Sequence, residues 1–156
     1  MSGRRKVLLV DDHLVIVEYL EELLEQHGFE VVGKETGIGD ALRLLDQRSV
    51  DVVLLGLETA DAGGFGGVRE MRSAHPEAAV VILSGSDDES SIMAALDEGA
   101  AAYVRYDANP QDLVTAVRQA LPRLLRFSDR LVRERAFAGA RRRPHASRVR
   151  DPEARR

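Results

Sequence analysis

The stretch "DVVLLGLETAD" (51–61) decides the fold. Residues 52–55 are four consecutive apolar residues behind Asp51, and a polar loop follows. A short run that is apolar on both faces is the pattern of a fully buried strand, and such strands belong to parallel sheets covered by helices on both sides. In those sheets ligands bind beyond the carboxyl ends of the strands. At that end this strand carries Gly56, which has no side chain to offer.

The same pattern recurs outward from it. Residues 6–10, "KVLLV", form a first strand ended by Asp11-Asp12, and 29–35, "FEVVGKE", a second. Residues 78–84, "AAVVILS", and 101–106, "AAYVRY", are a fourth and a fifth. Helical periods lie between them. In "LVIVEYLEELLEQHG" (14–28) Val15, Leu20, Leu23 and Leu24 fall on one side, Glu18, Glu21, Glu22 and Glu25 face water, and Gly28 is the stop. In 37–47 the inner positions are Ala41, Leu44 and Leu45. A short helix at 66–75 ends near Pro76. A helix at 89–100 has Ser90 or Ser91 as its cap and Gly99 at its end. The last, in 107–121, has Asn109 capping and Pro110 at its first position. Five strands alternating with five helices predict an α/β doubly wound five-stranded parallel sheet.

Composition bounds the function. The 156 residues include no cysteine, which excludes disulfides, thiolate metal sites and cysteine nucleophiles. The apolar runs are too short to cross a bilayer, and "MSGRRKVLLVDDH" lacks the long apolar core of a signal peptide. A cytoplasmic protein with no membrane contact is expected. Net charge is −4, unevenly spread: residues 1–122 hold 10 Lys/Arg against 22 Asp/Glu, and residues 123–156 hold 12 Arg against 4 acids. The organisation expected is a domain over 4–122 and a basic tail over 123–156. The tail's Leu124, Leu125, Leu131 and Val132 suit a basic amphipathic helix, and residues 141–156 have the composition of a disordered segment. Arginines in this number can touch a nucleic-acid backbone without sequence preference, or be merely solvated. The four histidines (His13, His27, His75, His145) show no metal spacing, and "GGFGG" (63–67) lacks the spacing of a phosphate-binding glycine loop.

Four segments in order, "VLLVDDH" (7–13), "DVVLLGL" (51–57), "VVILSGS" (80–86) and "GAAAYVRYDANP" (99–110), resemble the signature segments of response-regulator receiver domains. The "DDH" and the Tyr…Asp-x-x-Pro ending are most similar to receivers of LuxR/NarL-type regulators. The resemblance covers roughly residues 5–121 and implies a flavodoxin-like strand order 2-1-3-4-5. It also implies a site. Asp12, helped by Asp11, would bind Mg²⁺; Ser84 would hold a phosphoryl oxygen; Tyr103 would be the switch aromatic. The phosphoacceptor aspartate and the strand-5 lysine of the family are replaced by Gly56 and Tyr106, and the usual Met-Pro by Thr59-Ala60.

Glycine forms no acyl phosphate, and a phenol makes no ammonium contact. The expectation is therefore an atypical receiver that regulates by protein contact, or as a homodimer, through the helix 4–strand 5–helix 5 face (89–121). It is not an enzyme. Mg²⁺ binding would be weak and would involve Asp11, Asp12 and Glu58, and a rescued acceptor at Glu58 or Asp61 is disfavoured. The plainer readings stay open: Asp11-Asp12 caps a helix, Ser84 bonds local backbone, Tyr103 is only a strand residue, and Tyr106 either plugs the pocket or points to solvent. Two alternatives in function are the receiver part of a DNA-binding regulator and a small-molecule sensor using the vacant acidic pocket.

Overall fold

The computed structural model describes residues 3–58, 66–86 and 88–121. The basic tail, Thr59, Ala60, Asp61 and part of the glycine-rich stretch lie outside the described residues. The elements run β1 (Arg5–Val10), α1 (Leu14–Gln26), β2 (Phe29–Glu35), α2 (Ile38–Gln47), β3 (Val52–Gly56), α3 (Gly66–Ala74), β4 (Ala79–Ser84), α4 (Glu89–Asp97), β5 (Ala102–Arg105) and α5 (Pro110–Ala120). The strands form one parallel sheet in the order β2-β1-β3-β4-β5.

Strand alternation splits the core into two layers. Val7, Leu9, Leu54, Val81 and Leu83 pack with Leu20, Leu24, Leu113 and Val117 of α1 and α5. Leu8, Val10, Leu55, Ile82 and Tyr103 pack with Ala41, Met71 and Ile92 of α2, α3 and α4. Every residue of β3 and β4 is buried, as a strand apolar on both faces requires.

Local signals act mostly where the sequence places them. Gly28 and Gly99 follow α1 and α4 at positive φ, where other residues would be strained. Asn109 accepts from the Asp112 amide, with Pro110 beginning α5. Two expectations need correction. Val15 is 80% exposed, and Val17 takes the inner position, because α1 starts at Leu14 and the helical row through Leu20 and Leu24 passes through Val17. The cap of α4 is Asp88, whose carboxylate accepts from the Ser91 amide at 3.1 Å; Ser90 and Ser91 donate their hydroxyls to it instead. A carboxylate at a helix N-terminus accepts several donors at once and suits the helix dipole.

Candidate functional site

Parallel pairing lines up the carboxyl ends of β1, β3, β4 and β5. Val10 stands beside Leu55, Gly56 beside Leu83, and Ser84 beside Arg105. The pairing continues past the strands, with the Leu57 amide donating to the Leu83 carbonyl and the Tyr106 amide to the Ser84 carbonyl. Residues as far apart in sequence as Asp11 and Tyr106 therefore meet at one edge.

Asp11 is the buried centre of this edge, 2% exposed. One of its oxygens accepts from the His13 amide at 2.9 Å and meets His13 Nδ1 at 2.5 Å; the other accepts from the Tyr106 hydroxyl at 2.6 Å. The His13 and Tyr106 rings meet edge to face, with centroids 5.9 Å apart. Burial, then the bond to Asp11, pushes the Tyr106 phenol well above its ordinary range. The hydrogen bond and negative charge of Asp11 raise the His13 imidazole. Asp12 points outward, its side chain 38% exposed, 3.3 Å from His13 Nδ1.

Gly56 closes the arrangement. A Cβ built on it would collide with the Asp11 carboxylate, lying 2.7 Å from Asp11 Cγ and 2.8 Å from the Tyr106 hydroxyl. The space of an acceptor side chain is already filled by Asp11 and Tyr106.

On the other side of the site, Ser84, itself fully buried, donates its hydroxyl to Glu58 at 2.9 Å. Ser84 Oγ in turn accepts from the Ser86 amide at 3.1 Å. Tyr103 is fully buried, and its hydroxyl donates to the Ser86 carbonyl at 2.6 Å.

The structure thus brings Asp11, Gly56 and Tyr106 into one contact and Glu58 and Ser84 into a second, with Tyr103 bonded to the neighbouring Ser86 carbonyl. Tyr106 plugs the edge and does not point to solvent. The N-cap of α1 is His13, whose side chain makes no capping bond, and the Asp11 carboxylate accepts from the amide of that residue. Ser84 does bond local backbone, but its proton goes to Glu58. The part played by His13 escaped the sequence reading, which sought metal spacing among histidines; its position two residues after Asp11 was the available signal.

Receiver domains bind Mg²⁺ in an acidic pocket, and Asp11, Asp12 and His13 each turn a ligand atom to within 4.8 Å of the others. As placed, they fit an octahedral Mg²⁺ poorly. Mg²⁺ takes hard oxygen ligands, and imidazole suits transition metals better. The oxygens of Asp11 already serve His13 and Tyr106, Gly56 brings no carboxylate, and Glu58 is turned to Ser84.

The response regulator receiver domain profile matches residues 7–118. The nitrate/nitrite response regulator protein NarP of Escherichia coli (strain K12) is 32% identical over 139 residues, covering 86% of this chain and 65% of NarP. The chain thus spans less than two thirds of that relative's length. Among solved structures, a two-component response regulator of the LuxR family from Aurantimonas sp. SI85-9A1 superposes with a TM-score of 0.69 at 29% identity, covering 75% of this chain and 84% of its own. The signal receiver domain of the putative response regulator NarL from Mycobacterium tuberculosis gives 0.68 at 26% identity, covering 75% and 95%. With the sheet order and the segment at each strand end, these matches place the chain in the response regulator receiver domain family, close to the NarL/LuxR-type regulators.

Proposed function

We propose that this receiver works without phosphotransfer, as a regulatory module of two-component signalling that acts by protein contact. The observation that carries the reading is the filled space at Gly56. The position has no carboxylate, and the volume one would need is taken by Asp11 and the Tyr106 hydroxyl. The chain performs no catalysis in this reading, and its affinity for Mg²⁺ is weak.

Receivers of response regulators work through contacts with partner proteins and with second copies. Here the contact surface is α4–β5–α5, on which Met93 is 45% exposed, an apolar side chain available to a partner. Transcription control in the cytoplasm is part of this reading, in keeping with membership of the response regulator receiver family. The receiver occupies 4–122, and the basic tail 123–156 adds salt-sensitive, sequence-independent contact with nucleic acid. A second reading, the receiver part of a longer DNA-binding regulator, is favoured by the greater length of NarP.

The test is intact mass after incubation with a small acyl-phosphate donor and Mg²⁺, beside a receiver that has the aspartate as positive control. No added phosphoryl group is expected. One base-labile phosphoryl adduct would overturn the reading.

A further inference from the structure

Of the large apolar side chains exposed among the described residues, Leu14, Val15 and Tyr19 all lie on α1, at 69%, 80% and 41% exposure. Val15 and Tyr19 stand one turn apart on the outer side, and Leu14 lies beside them. A lone exposed apolar residue is ordinary, but neighbours on one helix make a patch. The same helix carries Glu18, Glu21, Glu22 and Glu25, and no lysine or arginine. Glu21 is bonded to Lys34 at 2.8 Å. That bond and the charge of Glu21, with smaller effects of Glu18 and Glu25, raise the Lys34 ammonium above its ordinary value. The outer face of α1 is thus apolar at one end and acidic along its length.

The basic tail begins beside this face. Near the end of α5 the Arg118 guanidinium donates to the His27 carbonyl at 3.0 Å and lies over the Phe29 ring, 5.8 Å from its centroid. Leu121 shares a core cluster with Leu20 and Leu24. The chain therefore leaves α5 at the C-terminal end of α1. Residues 123–135 follow, with five arginines and two acids interleaved with Leu124, Leu125, Phe127, Leu131 and Val132. Apolar and positive on the tail answers apolar and negative on the helix. With 13 residues, α1 is about 20 Å long at roughly 1.5 Å per residue. Residues 123–135 are enough to run back along it, even as a helix.

We propose that residues 123–135 of the tail dock on the outer face of α1 of the same chain, their apolar side chains on Leu14, Val15 and Tyr19 and their arginines beside Glu18, Glu22 and Glu25. Attachment favours the chain's own tail over that of a second copy, because a short link gives an effective concentration on the order of millimolar. The contact is weak. Exposed ion pairs add little stability and are screened by salt. With a dissociation constant also on the order of millimolar, the tail is docked in about half of the molecules at low salt. That occupancy hardly moves the melting temperature. A docked tail is withheld from nucleic acid, so the two contacts of the tail compete. The docking goes beyond the proposed loss of phosphotransfer and does not depend on it.

The experiment is paramagnetic relaxation enhancement on the full chain. The sequence has no cysteine, so Ser128→Cys gives a single attachment point for a nitroxide. In about 20 mM salt the amide signals of Val15, Glu18, Tyr19 and Glu22 should lose about half of their intensity or more when the nitroxide is active. Those of α3, on the other face of the sheet, should not. The loss should disappear in about 0.5 M sodium chloride. Glu18→Lys with Glu22→Lys, both at exposed positions, should abolish it. Val15→Ser should weaken it, and serves as the second break should the charge-reversed variant fail to fold. A mixture of labelled chain with isotope-enriched unlabelled chain should show no loss. Full intensity on α1 at low salt would overturn the proposal, as would a loss that persists in high salt or in the folded variants. Loss in the mixture would assign the face to the tail of a second copy and overturn docking within one chain.

Discussion

At Gly56 the missing side chain and the residues that fill its place form one unit. Restoring an acid there is not a repair. Gly56→Asp forces its Cβ against Asp11 and Tyr106, and overpacking of this kind costs about 1–3 kcal/mol. Urea denaturation should show that loss, and intact mass after acyl-phosphate treatment should show no adduct. Adding Tyr106→Lys removes the phenol and frees Asp11 to turn. The double variant should be more stable than the two single losses summed, which a double-mutant cycle measures. Tyr106 also gives a pH prediction. Its folded phenol titrates above the ordinary 10.0, so the neutral form is favoured by folding. That stability is complete below the unfolded value, and it falls as pH rises past it, because the unfolded chain gives up the proton first. Stability measured from pH 9 upward should therefore fall more steeply in wild type than in Tyr106→Phe.

Among the elements, α4 depends most on one residue. Asp88 accepts from the Ser91 amide and from the hydroxyls of Ser90 and Ser91. Asp88→Ala should cost about 1 kcal/mol, and Asp88→Asn, another good cap, much less. The Ser90 hydroxyl leads in holding the Asp88 carboxylate below its ordinary 3.8. Its contribution is present above that value and lost as pH falls through the folded one, so the gap between wild type and Asp88→Ala should narrow in acid unfolding. The sequence announced this element and its end at Gly99, but it pointed to Ser90 or Ser91 as the cap and passed over Asp88. Cap choice turns on where the chain bends, and the bend at Asp88 is set by the turn at Ser86, which bonds across to Ser84 and Tyr103. Val15 failed for a similar reason. The period of α1 was legible, but its phase depends on which side the sheet lies.

At the scale of the molecule, the five strands and five helices of the described residues fall within residues 5–120 and form the packed core, so cooperative unfolding should not need the tail. A chain ending at Pro122 should melt within about 2 °C of the full chain by calorimetry. Millimolar Mg²⁺ should raise the melting temperature of wild type by less than about 1 °C, since weak binding adds little stability by mass action. The sequence by itself determined the strands, their parallel burial, the order of elements and the glycine at the end of β3. These follow from apolar runs, caps and the identity of single residues, all of which are local. Only the tertiary structure decided that Tyr106 closes on Asp11, 95 positions away, and that Glu58 turns to Ser84, 26 positions away. Such contacts depend on which strand ends the sheet sets side by side and on which rotamers the remaining space admits, and neither is written in any one segment.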